Sequence, residues 1–144
     1  MMDIVRLQTL TKAQVEQVKR LMSELNPDIP VTTEMITDTV RSEGTAFFAV
    51  LEGEEIVGCA SLGVFYSPTG CKGHIEDVVV LSAYRGQGLG RKLMEHVIDF
   101  ARREYKDIDL YLTSRPVRVA ANKLYQALGF RRKETNVYKM TTTL

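Results

Sequence analysis

The chain is 144 residues long, with 44% hydrophobic residues, 26% charged residues and a formal net charge of +1. That is the make-up of one globular domain, residues 1–144, large enough for a real core and unlike a disordered segment. So even a balance gives no global pull towards nucleic acid, and no run approaches the roughly eighteen consecutive apolar residues of a membrane span.

The opening Met-Met-Asp-Ile-Val-Arg-Leu alternates like a strand over 2–8 and lacks a signal-peptide core. Thr11 is an N-cap whose box Gln14 completes, followed at helical spacing by Val15, Val18, Leu21, Met22 and Leu25. Asn26-Pro27-Asp28-Ile29-Pro30 breaks that helix, and Thr32 or Thr33 caps a second, short one holding Met35, Ile36 and Val40. Strands follow over 45–51 and 55–66 around a Glu52-Gly53 turn, then another over roughly 71–81. A helix over about 88–105 buries Leu89, Leu93, Val97 and Ala101, with Met94 and Ile98 beside them. Residues 108–113 alternate as a strand, a late helix starts near Pro116, and residues 130–141 finish the sheet. The expected order is β-αα-βββ-α-β-α-β(β), an α/β fold with a mixed sheet flanked by helices. Cys59 and Cys71 lack metal-pair spacing and are too few for a disulfide scaffold, so a reduced, cytoplasmic protein without a metal is expected.

Chemistry concentrates where the β-branched run Ile75-Glu76-Asp77-Val78-Val79-Val80 meets the turn Tyr84-Arg85-Gly86-Gln87-Gly88-Leu89-Gly90. A strand, a glycine turn and a helix start together make an anion cradle: the turn is tight, and the first helical N–H groups lack partners. Arg85 before the glycines, with Arg91 and Lys92 after them, adds full charges. The spacing is neither a P-loop, since Gly90 is followed by Arg91-Lys92, nor a dinucleotide fingerprint, since Arg91 stands where the third glycine belongs.

Arg-x-x-Gly-x-Gly, from Arg85 to Gly90, resembles the loop of the GNAT superfamily of acetyl-CoA-dependent N-acetyltransferases. A second segment about thirty residues on, Asn122-Lys123-Leu124-Tyr125-Gln126-Ala127-Leu128-Gly129-Phe130, is similar to that family's late helix, with Gly129 placed to end it. The resemblance implies that acetyl-CoA is bound by the loop, Arg85, Gly86, Gln87, Gly88, Leu89, Gly90 and Arg91, with Val78, Val79 and Val80 pairing the pantetheine arm. It implies a cofactor or water contact for Asn122, for which a local helix-surface bond is the alternative. It also makes Tyr125 the general acid: a phenol with a pKa of about 10 suits a thiolate near 8.5. A tyrosine that merely packs its ring is the other reading. For the base, Glu76 comes first and His74 second. Alternation puts these two on one face and Ile75 and Asp77 on the other, and both candidates are also readable as ordinary strand residues.

The stretch Gly73-His74-Ile75-Glu76-Asp77-Val78 looks especially like glucosamine-6-phosphate N-acetyltransferases, which suggests an amino-sugar phosphate, whereas Thr113-Ser114-Arg115-Pro116 departs from them. Protein N-terminal acetyltransferases often carry glutamate at the position of Thr113. A small-molecule amine is therefore the expected acceptor, with no nucleic acid or membrane partner. A homodimer is common in the family, and a strand at 136–141 pairs either within the chain or across to a partner. A non-catalytic acetyl-CoA sensor and an enzyme acting on protein amines are the competing readings.

Overall fold

The structure, a computed structural model, describes residues 2–143. It has a larger unit ending at Thr113 and a smaller one beginning at Ser114. In the larger unit β1 (Met2–Leu7), β2 (Thr45–Glu52), β3 (Glu55–Ser67), β4 (Gly70–Val80) and β5 (Asp109–Tyr111) lie side by side in sequence order. The first three pairings are antiparallel and β4–β5 is parallel, so the sheet is mixed. Parallel neighbours need a crossover, and α3 (Leu89–Glu104) supplies it.

Two helices precede β2. The Thr11 hydroxyl accepts from Gln14 N–H at 3.1 Å while Gln14 Oε1 accepts from Thr11 N–H at 3.0 Å, a reciprocal cap that starts α1 (Lys12–Leu25). Thr32, not Thr33, caps α2 (Thr33–Arg41), its hydroxyl accepting from Met35 N–H at 3.2 Å. Gln17 of α1 then reaches the sheet, accepting from Ile56 N–H at 2.8 Å.

Neighbouring residues of β2 show how the sheet is covered. Phe47 lines a cavity with α1 and α2 residues, whereas Phe48 meets the α3 ring of Phe100 edge-on at 5.1 Å. Both are buried, so the sheet is a middle layer with apolar side chains on each face. On α3, Leu89, Leu93, Met94, Val97, Ile98 and Ala101 are buried at the spacing expected of one helical face. Losing a fully buried Leu93 side chain costs about 2–5 kcal/mol, so this stripe fixes α3 and with it the loop that precedes it.

Three elements differ from expectation. The strand after α3 is shorter, Asp109–Tyr111. The late helix α4 runs over Val119–Ala127, starting after Pro116 because Arg118 N–H closes a turn on Arg115 O at 3.0 Å. The strand expected over 130–141, and within it 136–141, is not formed: residues 130–143 are neither helix nor strand. Residues 131–134 are exposed, and Val137, Tyr138 and Met140 are 73%, 86% and 84% exposed. No apolar burial offsets the entropy of ordering that segment.

Candidate functional site

Strand β4 is bordered unequally. On one side β3 pairs with it from Ser67↔Gly70 through to Gly58↔Val80. On the other, β5 reaches only Lys72, Gly73 and His74. Beyond His74 no strand among the described residues borders that second edge, so the run Glu76–Val79 offers backbone groups sideways, while the Val80 carbonyl is taken by Arg85.

The open edge leads into the glycine loop through one 3-10 turn, Ser82–Tyr84, which sequence periodicity did not reveal. The turn is pinned to both neighbouring elements. Glu24 of α1 accepts from Ser82 N–H at 3.0 Å, and Tyr84 donates to Glu52 Oε1 at 2.8 Å. Arg85 donates from Nε to Val80 O at 3.0 Å and lies 3.6 Å from Glu24 through Nη2. Gly86 and Gly88 follow with φ of 82° and 76°, left-handed values that a side chain resists. Gly88 is the N-cap of α3, and no side chain bonds to that helix start.

The first-turn N–H groups of α3 therefore remain available, with no acidic residue in that turn to repel an anion. Arg91 lies nearby, half-exposed and 3.8 Å from Glu95. The arrangement fits a pyrophosphate and the chain attached to it: amides for the anion, and a free strand edge for an amide-bearing arm.

Alternation failed at one residue of β4. Opposed residues share a face, so Glu76 (opposite Ser61) and His74 (opposite Gly63) lie on the α1/α2 side, as the pattern implied. Asp77 joins them there. The register shifts between Cys59 and Ser61, and Asp77 adopts φ of 54°, the extra residue of a β-bulge. It thus lines the same cavity as Cys59, Ser61 and Phe47, where alternation had grouped it with Ile75 on the opposite face. Asp77 is exposed as a residue, yet the burial of its carboxyl holds its pKa above the usual carboxylate range. The fully buried Cys59 thiol is pushed up too, by burial first and by the Asp77 charge second. No sequence signal marks a bulge at a non-glycine residue, although aspartate tolerates the left-handed region better than most.

His74 is exposed and stacked between Phe65, centroids 5.7 Å apart, and Tyr111, 5.3 Å apart. Glu76 is exposed on β4.

In the smaller unit Asn122 donates from Nδ2 to Arg115 O at 3.0 Å, tying α4 to the turn before it. Tyr125 is buried, 6% exposed, with the Phe130 ring edge-on at 6.2 Å. Burial raises its pKa above the ordinary phenol value, and Arg118, by charge and a side-chain hydrogen bond, opposes part of that rise. Gly129, at φ of 105°, ends the helix as its position implied.

Comparison with known proteins supplies the context for this geometry. The sequence profile described as the acetyltransferase (GNAT) family matches residues 12–130. Glucosamine 6-phosphate N-acetyltransferase of Trypanosoma brucei brucei is 35% identical, over 93% of this chain and 95% of its own. N-alpha-acetyltransferase RimI of Mycobacterium tuberculosis is 27% identical, over 89% of this chain and 79% of its own. The crystal structure of an acetyltransferase from Trypanosoma brucei superposes with a TM-score of 0.79 at 26% identity, covering 98% of this chain and all of that one, 100%.

Proposed function

Since the chain belongs to the acetyltransferase (GNAT) family and is an acyltransferase acting on amines, we propose that its acceptor is a small-molecule primary amine that attacks the thioester of acetyl-CoA directly. The observation that carries this reading is the open edge of β4 running into a left-handed glycine loop at the uncapped start of α3.

In this reading Val78, Val79 and Val80 hold the arm of the donor, and the backbone and charges of Arg85–Arg91 hold its pyrophosphate. Bound acetyl-CoA supplies an activated acetyl group on sulfur. The chain's tasks are then positioning, oxyanion stabilisation and proton handling, of which positioning alone supplies several kcal/mol. A backbone N–H near Val78 or Val79 faces the developing oxyanion, so no side chain is required for that step. Glu76, with His74 as the second candidate, takes the proton from the amine. Tyr125 gives one to the departing thiolate. The hydroxyl is protonated throughout the neutral range, so the proton is there to give; burial, by raising its pKa, weakens it as an acid, and Arg118 offsets part of that. Asn122 orients the donor or a water.

The family profile runs from 12 to 130, across the boundary at Thr113, which supports one functional domain over residues 1–144. Nothing in this chemistry calls for a metal, for nucleic acid or for a membrane. No described helix is long and apolar enough to cross a bilayer, which suits the cytoplasmic site we assign. The exposed Val137, Tyr138 and Met140 favour association into a homodimer.

The test is CoA release from acetyl-CoA, with mass detection of the acetylated product, across small amines and short peptides. Acetylation of small amines is the expected result. Acetylation of peptides alone would move the reading to protein amines. A rise in melting temperature with acetyl-CoA but no transfer would leave a sensor.

A further inference from the structure

The cavity on the α1/α2 face of the sheet has a volume of about 180 Å³ and is lined largely by apolar side chains, among them Met22, Ile29, Met35 and Phe47. Its polar lining is Asn26, Thr39, Ser61 and Asp77, and Asp77 is the one charged residue among them. An engineered apolar cavity of about 150 Å³ takes up benzene, so this one accepts a single ring or a branched aliphatic chain.

Charge narrows the occupant further. A phosphate or carboxylate here finds no lysine, arginine or histidine on the lining and one like charge, Asp77. Burying an anion in that setting is strongly unfavourable. An ammonium group finds a carboxylate partner instead. The bulge matters because regular alternation would have turned Asp77 to the other face, while φ of 54° brings it into the cavity. Backbone held in that region costs roughly 1–3 kcal/mol and persists where surrounding structure enforces it, commonly at ligand clamps. Asp77 also directly precedes Val78–Val80, so an amine held on it lies at the start of the open strand edge.

Building on the acetyltransferase reading, we propose that the acceptor is a small primary amine with an apolar body about the size of one benzene ring and no anionic group, its ammonium held by the Asp77 carboxylate. Asp77 is then the residue that selects the acceptor, and the neighbouring Glu76 remains the base. The raised pKa of the Asp77 carboxyl accords with this, since a carboxylate among apolar groups gains from a cationic partner.

The experiment compares kcat/KM for phenethylamine, isoamylamine, glucosamine 6-phosphate, kanamycin and a short peptide amide beginning with phenylalanine. Wild type, Asp77→Asn and Ile29→Ser are compared, with acetyl-CoA affinity measured by calorimetry for each. Phenethylamine or isoamylamine should exceed glucosamine 6-phosphate at least tenfold. Asp77→Asn should raise KM for the preferred amine at least tenfold, with acetyl-CoA affinity within twofold of wild type. Ile29→Ser should raise that KM severalfold. Preference for glucosamine 6-phosphate or kanamycin overturns the proposal while leaving the acetyltransferase reading intact. Preference for the peptide amide overturns the small-molecule assignment. Release of CoA with none of these amines overturns the acceptor proposal, and failure of the wild type to bind acetyl-CoA by calorimetry overturns the reading it rests on as well.

Discussion

Replacing Gly88 by alanine isolates the contribution of loop conformation to donor binding. Gly88 has φ of 76°, and a Cβ built there meets nothing within 4 Å, so the cost is conformational and not steric. An L-residue held in the left-handed region loses about 1–2 kcal/mol. In a domain of this size that lowers Tm by roughly 3–8 °C. Gly53 provides a matched control: its φ is 62°, its Cβ position is also open, and it sits in the turn between β2 and β3. Gly53→Ala should therefore lose a similar amount of stability. Only Gly88→Ala disturbs the amides at the start of α3, and it should weaken acetyl-CoA about tenfold, while Gly53→Ala binds like wild type. Thermal melts and titration calorimetry of both variants supply the numbers. Equal acetyl-CoA affinity in the two variants, at equal loss of stability, would refute the assignment of this loop to the pyrophosphate.

Further outcomes follow from the proton-handling groups. Tyr125→Phe should lower kcat about a hundredfold, the scale of a general acid, and leave acetyl-CoA affinity within twofold; a kcat unchanged across pH would remove Tyr125 from the reaction. Glu76→Gln should lower kcat/KM about a hundredfold, the scale of a general base, and a value like that of wild type would shift the role to His74 or water. Asp77 bears on stability. Its folded pKa is raised, so the folded state binds more protons, and stability falls as pH rises from the ordinary aspartate value of about 3.9 through the higher folded one. Wild type should lose stability relative to Asp77→Asn over that window, seen as a Tm difference between the two that shifts in favour of the variant as pH rises. Parallel melting curves for the two from pH 3 to 8 would contradict the desolvated carboxyl.

Much of the sheet and all four helices are legible in the sequence because their signals are local. Thr11 with Gln14, the apolar stripe of α3, and the glycines at 53 and 129 each state a geometry through their own chemistry. The conformation of the glycine loop was legible for the same reason, since glycines at left-handed positions and an uncapped helix start are properties of contiguous residues. What alternation misread depends on partners. Asp77 changes face because β3 opposes the β4 run with one residue fewer, and nothing within β4 declares that. The segment after Phe130 has apolar residues at 137, 138 and 140, but a strand also needs a neighbour to bond with, and no pattern in 130–143 supplies one. The short β5 and the late start of α4 are likewise set by backbone pairings that side-chain patterns do not encode.

Transfer of an acetyl group from acetyl-CoA to an amine nitrogen is what the loop, the strand edge and the family membership have in common. Incubating the chain with acetyl-CoA carrying a deuterated acetyl group and a pool of small amines, then resolving the products by mass, tests that most directly. One or more amines should carry the deuterated acetyl group, in amounts matching the CoA released and absent when protein is omitted. Unlabelled amines beside intact acetyl-CoA, from protein that melts as a folded domain, would contradict it.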